Sequence, residues 1–231
     1  MNTIQLNLYS FEELNDIARQ KALILYQDIN INPNWRDYGY DHFVTICGCL
    51  GITVDKKSIS YQGFYSQREG SGFNADVNMP SLFKNIQKKG WRGYAPKLEF
   101  DFKLPDIDQR VVALLFKGKI HNNPKIIKTR NCCSVVVDLG VYPVEENGKS
   151  HDLIYGELDE LEKWLDSIAQ ILNQFLNKLL QQQYEYLTSK EAIRATIEAN
   201  EYLFTADGAK ANRIAALAIN INQRQNENQL F

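Results

Sequence analysis

The five residues Glu99-Phe100-Asp101-Phe102-Lys103 carry the pattern in this chain closest to a catalytic one. On an extended strand Glu99, Asp101 and Lys103 project from one side and the two phenylalanines from the other. Two carboxylates and a lysine so placed, joined by an upstream acid such as Asp76, are groups with which a nuclease holds a divalent metal beside a water. The pattern is short, and the neighbouring Pro105-Asp106 pair lies downstream of it, whereas the familiar nuclease arrangement needs that acid upstream. A solvated strand face is the plainer expectation, and a metal-dependent nuclease is the alternative.

Other groups able to do chemistry are scattered. His42, His121 and His151 lie far apart, and no serine or cysteine sits in a nucleophile motif for an imidazole to activate. Gly70-Ser71-Gly72 lacks the lysine and the strand-to-helix setting of a phosphate cradle, so it reads as a tight turn. The cysteines, Cys47 with Cys49 and Cys132 with Cys133, do not have the C-x-x-C spacing of a zinc or redox site and read as reduced, buried thiols. No catalytic residue, metal ligand set or cofactor is expected.

Binding is the better-supported expectation, and two stretches offer it. Basic and aromatic residues alternate from Lys84 to Lys97, where Lys88, Lys89, Trp91 and Arg92 are candidates to grip phosphates and stack on bases. A solvated loop anchored by its tryptophan is the plainer reading of that stretch. The other runs from Ile59 to Val77 as two strands with a glycine-rich connection. There Phe64 and Phe73 suit a core, and Tyr65, Gln67, Arg68 and Glu69 are candidate partner contacts, aromatics and arginine being common at binding hot spots.

The elements that must hold these stretches form an α+β pattern. Ser10 and Glu13 have capping-box spacing ahead of a helix from Phe11, with Phe11, Leu14, Ile17, Ala18, Leu25 and Tyr26 on its apolar side. A second helix is expected from about Tyr38 to Leu50, stopped by Gly51. Strands follow at Ile52 to Val54, in the glycine-rich hairpin, at Leu98 to Lys103, and at Cys132 to Tyr142, where three valines in succession suggest a central strand. Short helices start at Pro80 and Pro105, and His121 to Arg130 reads as a polar linker. The expected architecture is an antiparallel sheet of about four strands with helices on one face.

From Gly156 the composition changes. Leu158, Leu161, Leu165, Ile168, Leu172, Phe175 and Leu179 repeat at steps of three and four along a helix of roughly 50 Å, and Trp164, Ile171, Leu176 and Leu180 widen that seam. That seam either lies across the sheet or joins two copies in a homodimer. Thr188 and Glu191 suggest a cap for the next helix, Asp207-Gly208 a turn, and Ile214, Leu217 and Ile221 a last short helix before a polar tail. The chain thus divides into an α+β domain over 1–155 and a helical region over 156–231.

Bulk properties narrow the classes further. The 231 residues are 44% hydrophobic and 23% charged, as in globular proteins, and a net charge of −2 supplies no overall field for nucleic acid, leaving only a local patch. The beginning, Met-Asn-Thr-Ile-Gln-Leu, lacks a signal-peptide pattern, and no apolar run reaches bilayer-spanning length, so a cytoplasmic location is expected.

Gly63-Phe64-Tyr65-Ser66-Gln67, with Gly70 and Phe73, resembles the signature of a family of small proteins encoded by bacteriophages and related mobile elements. Tyr184 to Ser189 and Asn200 to Gly208 look like that family's tail, while Ala75 to Gln183 has no counterpart. Tyrosine at 65 and glutamate at 69 stand where the family often has tryptophan and aspartate. The family brings no established activity. What the resemblance implies is a non-enzymatic accessory protein in a bacterial host cell, such as an anti-CRISPR protein, whose partner is a host or defence protein or nucleoprotein complex.

Overall fold

A computed structural model describes residues 7–64, 69–120, 122–130, 134–141 and 152–213, the side chains of 152 and 153 excepted. The chain divides into two compact units, one made of Met1–Trp35 with Gln182–Phe231 and the other of Arg36–Gln181.

In the Arg36–Gln181 unit, helix α2 (Asp37–Leu50) buries Phe43, Ile46, Cys47 and Leu50, the three-, four- and seven-residue spacing of one helical side. Burial pushes the Cys47 thiol well above its ordinary range, which keeps it an inert core group. Gly51 ends α2 at φ 85°, and a Cβ there would stand 2.5 Å from that of Ser81, so both the backbone and the close approach call for glycine.

Strands β1 (Ile52–Val54), β4 (Ala75–Val77), β5 (Lys125–Lys128) and β6 (Val135–Asp138) form an antiparallel sheet in the order β1-β4-β5-β6. Its register separates the two faces. Ile52, Val54, Ala75, Val77, Ile126 and Val135 are buried on one, while the other carries the row Thr53, Asp76, Lys125, Asp138 and the pair Ile127–Val136. A two-stranded ribbon, β2 (Ser60–Tyr61) with β3 (Ser71–Gly72), stands apart from this sheet. The fold is α+β with a long helix late in the chain, as the sequence suggests.

Three segments take other roles than expected. Leu98 to Lys103 keeps its alternation, with Phe100 and Phe102 stacked at 4.6 Å and both against Trp91, but joins no ladder. Two indole N–H groups bond its carbonyls instead, Trp91 to Leu98 and Trp164 to Lys103, so the segment is an extended strap over the core. The polar linker contains β5, which lies inside the sheet. The valine run supplies β6 at the sheet's edge rather than its centre.

Helix α3 (Met79–Lys88) is capped by Asn78 and ends at Lys89 in the left-handed conformation. Helix α4 (Gln109–Phe116) starts at the Asp108 cap. Helix α5 (Asp152–Leu187) has 36 residues, about 54 Å at about 1.5 Å each. Its buried stripe runs through Leu158, Leu161, Leu165, Ile168 and Leu172 as the heptads suggest. It then shifts to Leu176 and Leu180, leaving Phe175 and Leu179 partly exposed. That drift is what a straight 3.6-residue helix does to a seven-residue repeat. The residues expected to form a dimer seam are thus largely covered by the chain itself.

In the other unit, Ser10 and Glu13 make half of the expected capping box: the Ser10 N–H and hydroxyl both donate to Glu13 Oε2, at 2.7 and 2.9 Å, while the Glu13 N–H donates to the Ser10 carbonyl rather than to its hydroxyl. The continuous helix α1 (Asp16–Leu25) begins later, capped by Asn15. Ser189, rather than Thr188, caps α6 (Lys190–Ala199). Phe11, Leu14, Ala18, Ala22, Ile193, Ile197 and Phe204 form the core, while Ile17 and Leu25 lie outside it at 84% and 55% exposure. Tyr9, Phe204 and Lys210 are joined by isolated antiparallel bridges around the Asp207-Gly208 turn.

Candidate binding face

Tyr38 and His42 sit one turn apart on α2, along the edge of its buried side, where His42 is half-buried. Their rings are nearly parallel, 6° apart with centroids at 6.5 Å. Tyr94 adds a third ring 5.4 Å from His42, and its hydroxyl lies 3.2 Å from His42 Nδ1. Below them Phe175 of α5 contacts His42, Phe43 and Phe100, tying the row to the core. The outer members reach solvent, Tyr38 at 74% and Tyr94 at 49% exposure. Three aromatic groups in a row, fixed from beneath and open at the surface, make a stacking platform.

Tyr94 is placed by the turn before it. After Lys89 the chain makes a 3-10 turn over Gly90–Gly93, whose Trp91 is 1% exposed and donates its indole N–H to Leu98 O at 2.9 Å. The Trp91 carbonyl accepts the N–H groups of Tyr94 and Ala95. Trp91 is therefore the anchor of this loop and has no free face to offer a base. Tyr94 takes that position instead.

The cations of the segment that carries Tyr94 are differently placed. Lys88 and Lys89 are exposed, as are Lys84 and Lys97, whereas Arg92 is half-buried and paired with Glu99. That arginine holds the Glu99 carboxyl below its ordinary value, mainly through the hydrogen bond it donates. On α2, Asp41 pairs with Lys56.

The hairpin candidates divide. Tyr65, Gln67 and Arg68 lie outside the described residues, and Glu69 is partly buried, its carboxylate close to Gly63. Gly63, at φ 112°, takes a backbone conformation that favours glycine, and a Cβ there would meet the movable end of the Glu69 side chain. The hairpin base is pinned where Ser71 donates to Asn173 Oδ1 at 3.0 Å, both residues being buried, and Phe73 enters the core as expected. Ser71–Gly72 is part of the ribbon rather than a tight turn.

The acidic positions do not assemble. Asp76 lies in β4 between Thr53 and Lys125, and Glu99 belongs to the strap. Among the described residues no three His, Cys, Asp or Glu side chains gather in a group able to hold a metal ion. His42 belongs to the aromatic row, and His121 and His151 lie outside the described residues, as do Cys132 and Cys133.

Tyr38 and His42 were the harder members to find in the sequence. The available signal is two aromatic side chains, four apart, at the edge of the apolar side of an amphipathic helix.

The molecule is thus an α+β protein that carries an exposed aromatic row with exposed lysines in the adjoining segment. Residues 35–190 match the family described as a domain of unknown function (DUF8835), and the chain belongs to that family. No curated protein and no solved structure matches it. No helix among the described residues is long and apolar enough to cross a membrane.

Proposed function

We propose that this protein works by binding rather than by catalysis, as an accessory protein of a phage or mobile element that blocks a bacterial defence complex, with the Tyr38–His42–Tyr94 face as its contact surface. The observation that carries the reading is the exposure of Tyr38 and Tyr94 on a row braced from below by Phe175. Large aromatic rings left in water have an unfavourable apolar exposure that a partner removes, and rigid rings lose little conformational entropy on binding. The class of partner comes from the resemblance of the Gly63 to Phe73 segment to mobile-element proteins, which favours an anti-CRISPR type of role.

The test is phage plating on a host with an active CRISPR system, with and without this protein. Wild type restores plating, and the Tyr38→Ala, Tyr94→Ala double variant does not. No restoration by wild type across hosts with different CRISPR types contradicts the defence reading; full restoration by the double variant contradicts the assignment of the surface.

A further inference from the structure

We infer that the aromatic face binds single-stranded nucleic acid, with bases stacked on Tyr38 and Tyr94 and phosphates held along the cations of residues 84–97. The inference rests on the reading of this face as the contact surface and adds the chemistry of what it contacts.

The charge pattern is one-sided. Between Lys84 and Lys97 stand Lys84, Lys88, Lys89, Arg92 and Lys97, with no Asp or Glu among them. This local run matters because a net charge of −2 gives the whole chain no such bias. Lys84 and Lys88 lie one turn apart on α3, and both are exposed. The left-handed backbone of Lys89, at φ 51°, then turns the chain into the loop that presents Tyr94. Among the described residues, Arg92 is the one member of the five in an ion pair; Lys89 also lies near Glu99 without pairing with it, and Lys84, Lys88 and Lys97 keep their charge for a ligand. Of the carboxylates near the platform, Asp41 is paired with Lys56 and Glu99 with Arg92. Asp37 occupies the first turn of α2, where the helix N-terminus offsets its charge.

Exposed aromatic rings, one of them carried on a segment rich in exposed lysines, suit a strand whose bases are unstacked. Every base has a face to stack, and the phosphates need only point charges, so such a site tolerates many sequences. A duplex keeps its bases paired inside and offers the rings nothing, which makes the single strand the specific expectation. The platform makes its own demand on geometry. His42 and Phe175 support the rings from within, so Tyr38 and Tyr94 can be truncated without opening the core.

The test is fluorescence anisotropy of end-labelled oligo-dT and oligo-U of about 16 nucleotides, beside a mixed-sequence duplex of equal length. The protein binds both single strands more tightly than the duplex, and affinity falls steeply between about 50 and 200 mM salt. Lys88→Ala, Lys89→Ala reduces the logarithmic salt slope by about 1.4, the share of two phosphate contacts on a single strand. Tyr38→Ala and Tyr94→Ala each weaken binding by about tenfold with the slope unchanged. Circular dichroism melting that matches wild type assigns these losses to the face rather than to the fold.

No binding by folded wild type at the lowest salt, preference for the duplex, a flat salt dependence, or tyrosine variants that bind like wild type each overturn the inference. Loss of plating by the tyrosine variants together with no oligonucleotide binding overturns it while leaving the proposed function in place. Oligonucleotide binding as described, with plating unaffected by the protein, supports the inference and overturns the defence reading.

Discussion

Gly208→Ala separates two structural costs at a single position. Gly208 sits at φ 85°, and a Cβ there would lie 2.3 Å from the Ala18 carbonyl oxygen, against an ordinary contact of 3.4–4 Å. The left-handed conformation costs a non-glycine residue about 1–2 kcal/mol. Forcing the turn away from α1 adds an overpacking cost of about 1–3 kcal/mol. The shift also disturbs the 2.6 Å contact of Lys21 with Asp207 and the bond from the Gly208 N–H to Thr205 O. The expected loss is therefore about 2–5 kcal/mol. Gly118→Ala supplies the control, because Gly118 has φ 66° but nothing within 4 Å of its Cβ position, so only the backbone cost of about 1–2 kcal/mol applies. Gly208→Asn adds a second comparison: asparagine tolerates the left-handed region but keeps the clash, so it recovers only the backbone share. Urea unfolding followed by circular dichroism measures all three. A Gly208→Ala loss no larger than that of Gly118→Ala, or full recovery with asparagine, refutes the close approach of the turn to α1.

Other positions give further tests. Ser71→Ala leaves the buried Asn173 Oδ1 without its donor and should cost about 1–3 kcal/mol in the same urea assay. Trp91→Phe keeps most of the apolar volume but strands the Leu98 carbonyl, with a loss in the same range of about 1–3 kcal/mol; a neutral result contradicts the anchoring role. Hydrogen bonds from Lys21 and then Thr205 hold the Asp207 carboxyl at about 2, below its ordinary value near 3.9. A depressed carboxylate contributes stability that is present above about pH 4 and lost as pH falls through about 2, so Asp207→Asn should flatten the acid limb of a stability profile in that window. An unchanged acid limb refutes the pairing.

Much of the fold was legible where a single local rule decides. Phe43, Ile46, Cys47 and Leu50 define α2 by spacing alone, and Gly51 ends it by its backbone. The strap at 98–103 has the sequence of a strand because alternation records which side chains turn inward and says nothing of whether a neighbouring strand exists. Here Trp91 and Trp164 satisfy carbonyls that a ladder would otherwise bond, and no local pattern announces those distant donors. The same limit applies to β5, where Lys125-Ile126-Ile127-Lys128 reads as polar but is enclosed by β4 and β6. The candidate site was half visible. The basic run around Tyr94 stood out by composition, whereas Tyr38 and His42 become its neighbours only when α2 lies beside the 90–94 turn. Trp91 is the largest ring in the run, and its size is what suits it to the core.

The most direct test of the proposed contact surface is site-specific photo-crosslinking in a bacterial host under phage attack. A benzophenone amino acid replaces Tyr38, Tyr94 or, as a control on an exposed position of α1, Ile17. The proposed surface predicts discrete crosslinked species from positions 38 and 94 and none from position 17. Crosslinks from position 17 with none from 38 and 94 would contradict it.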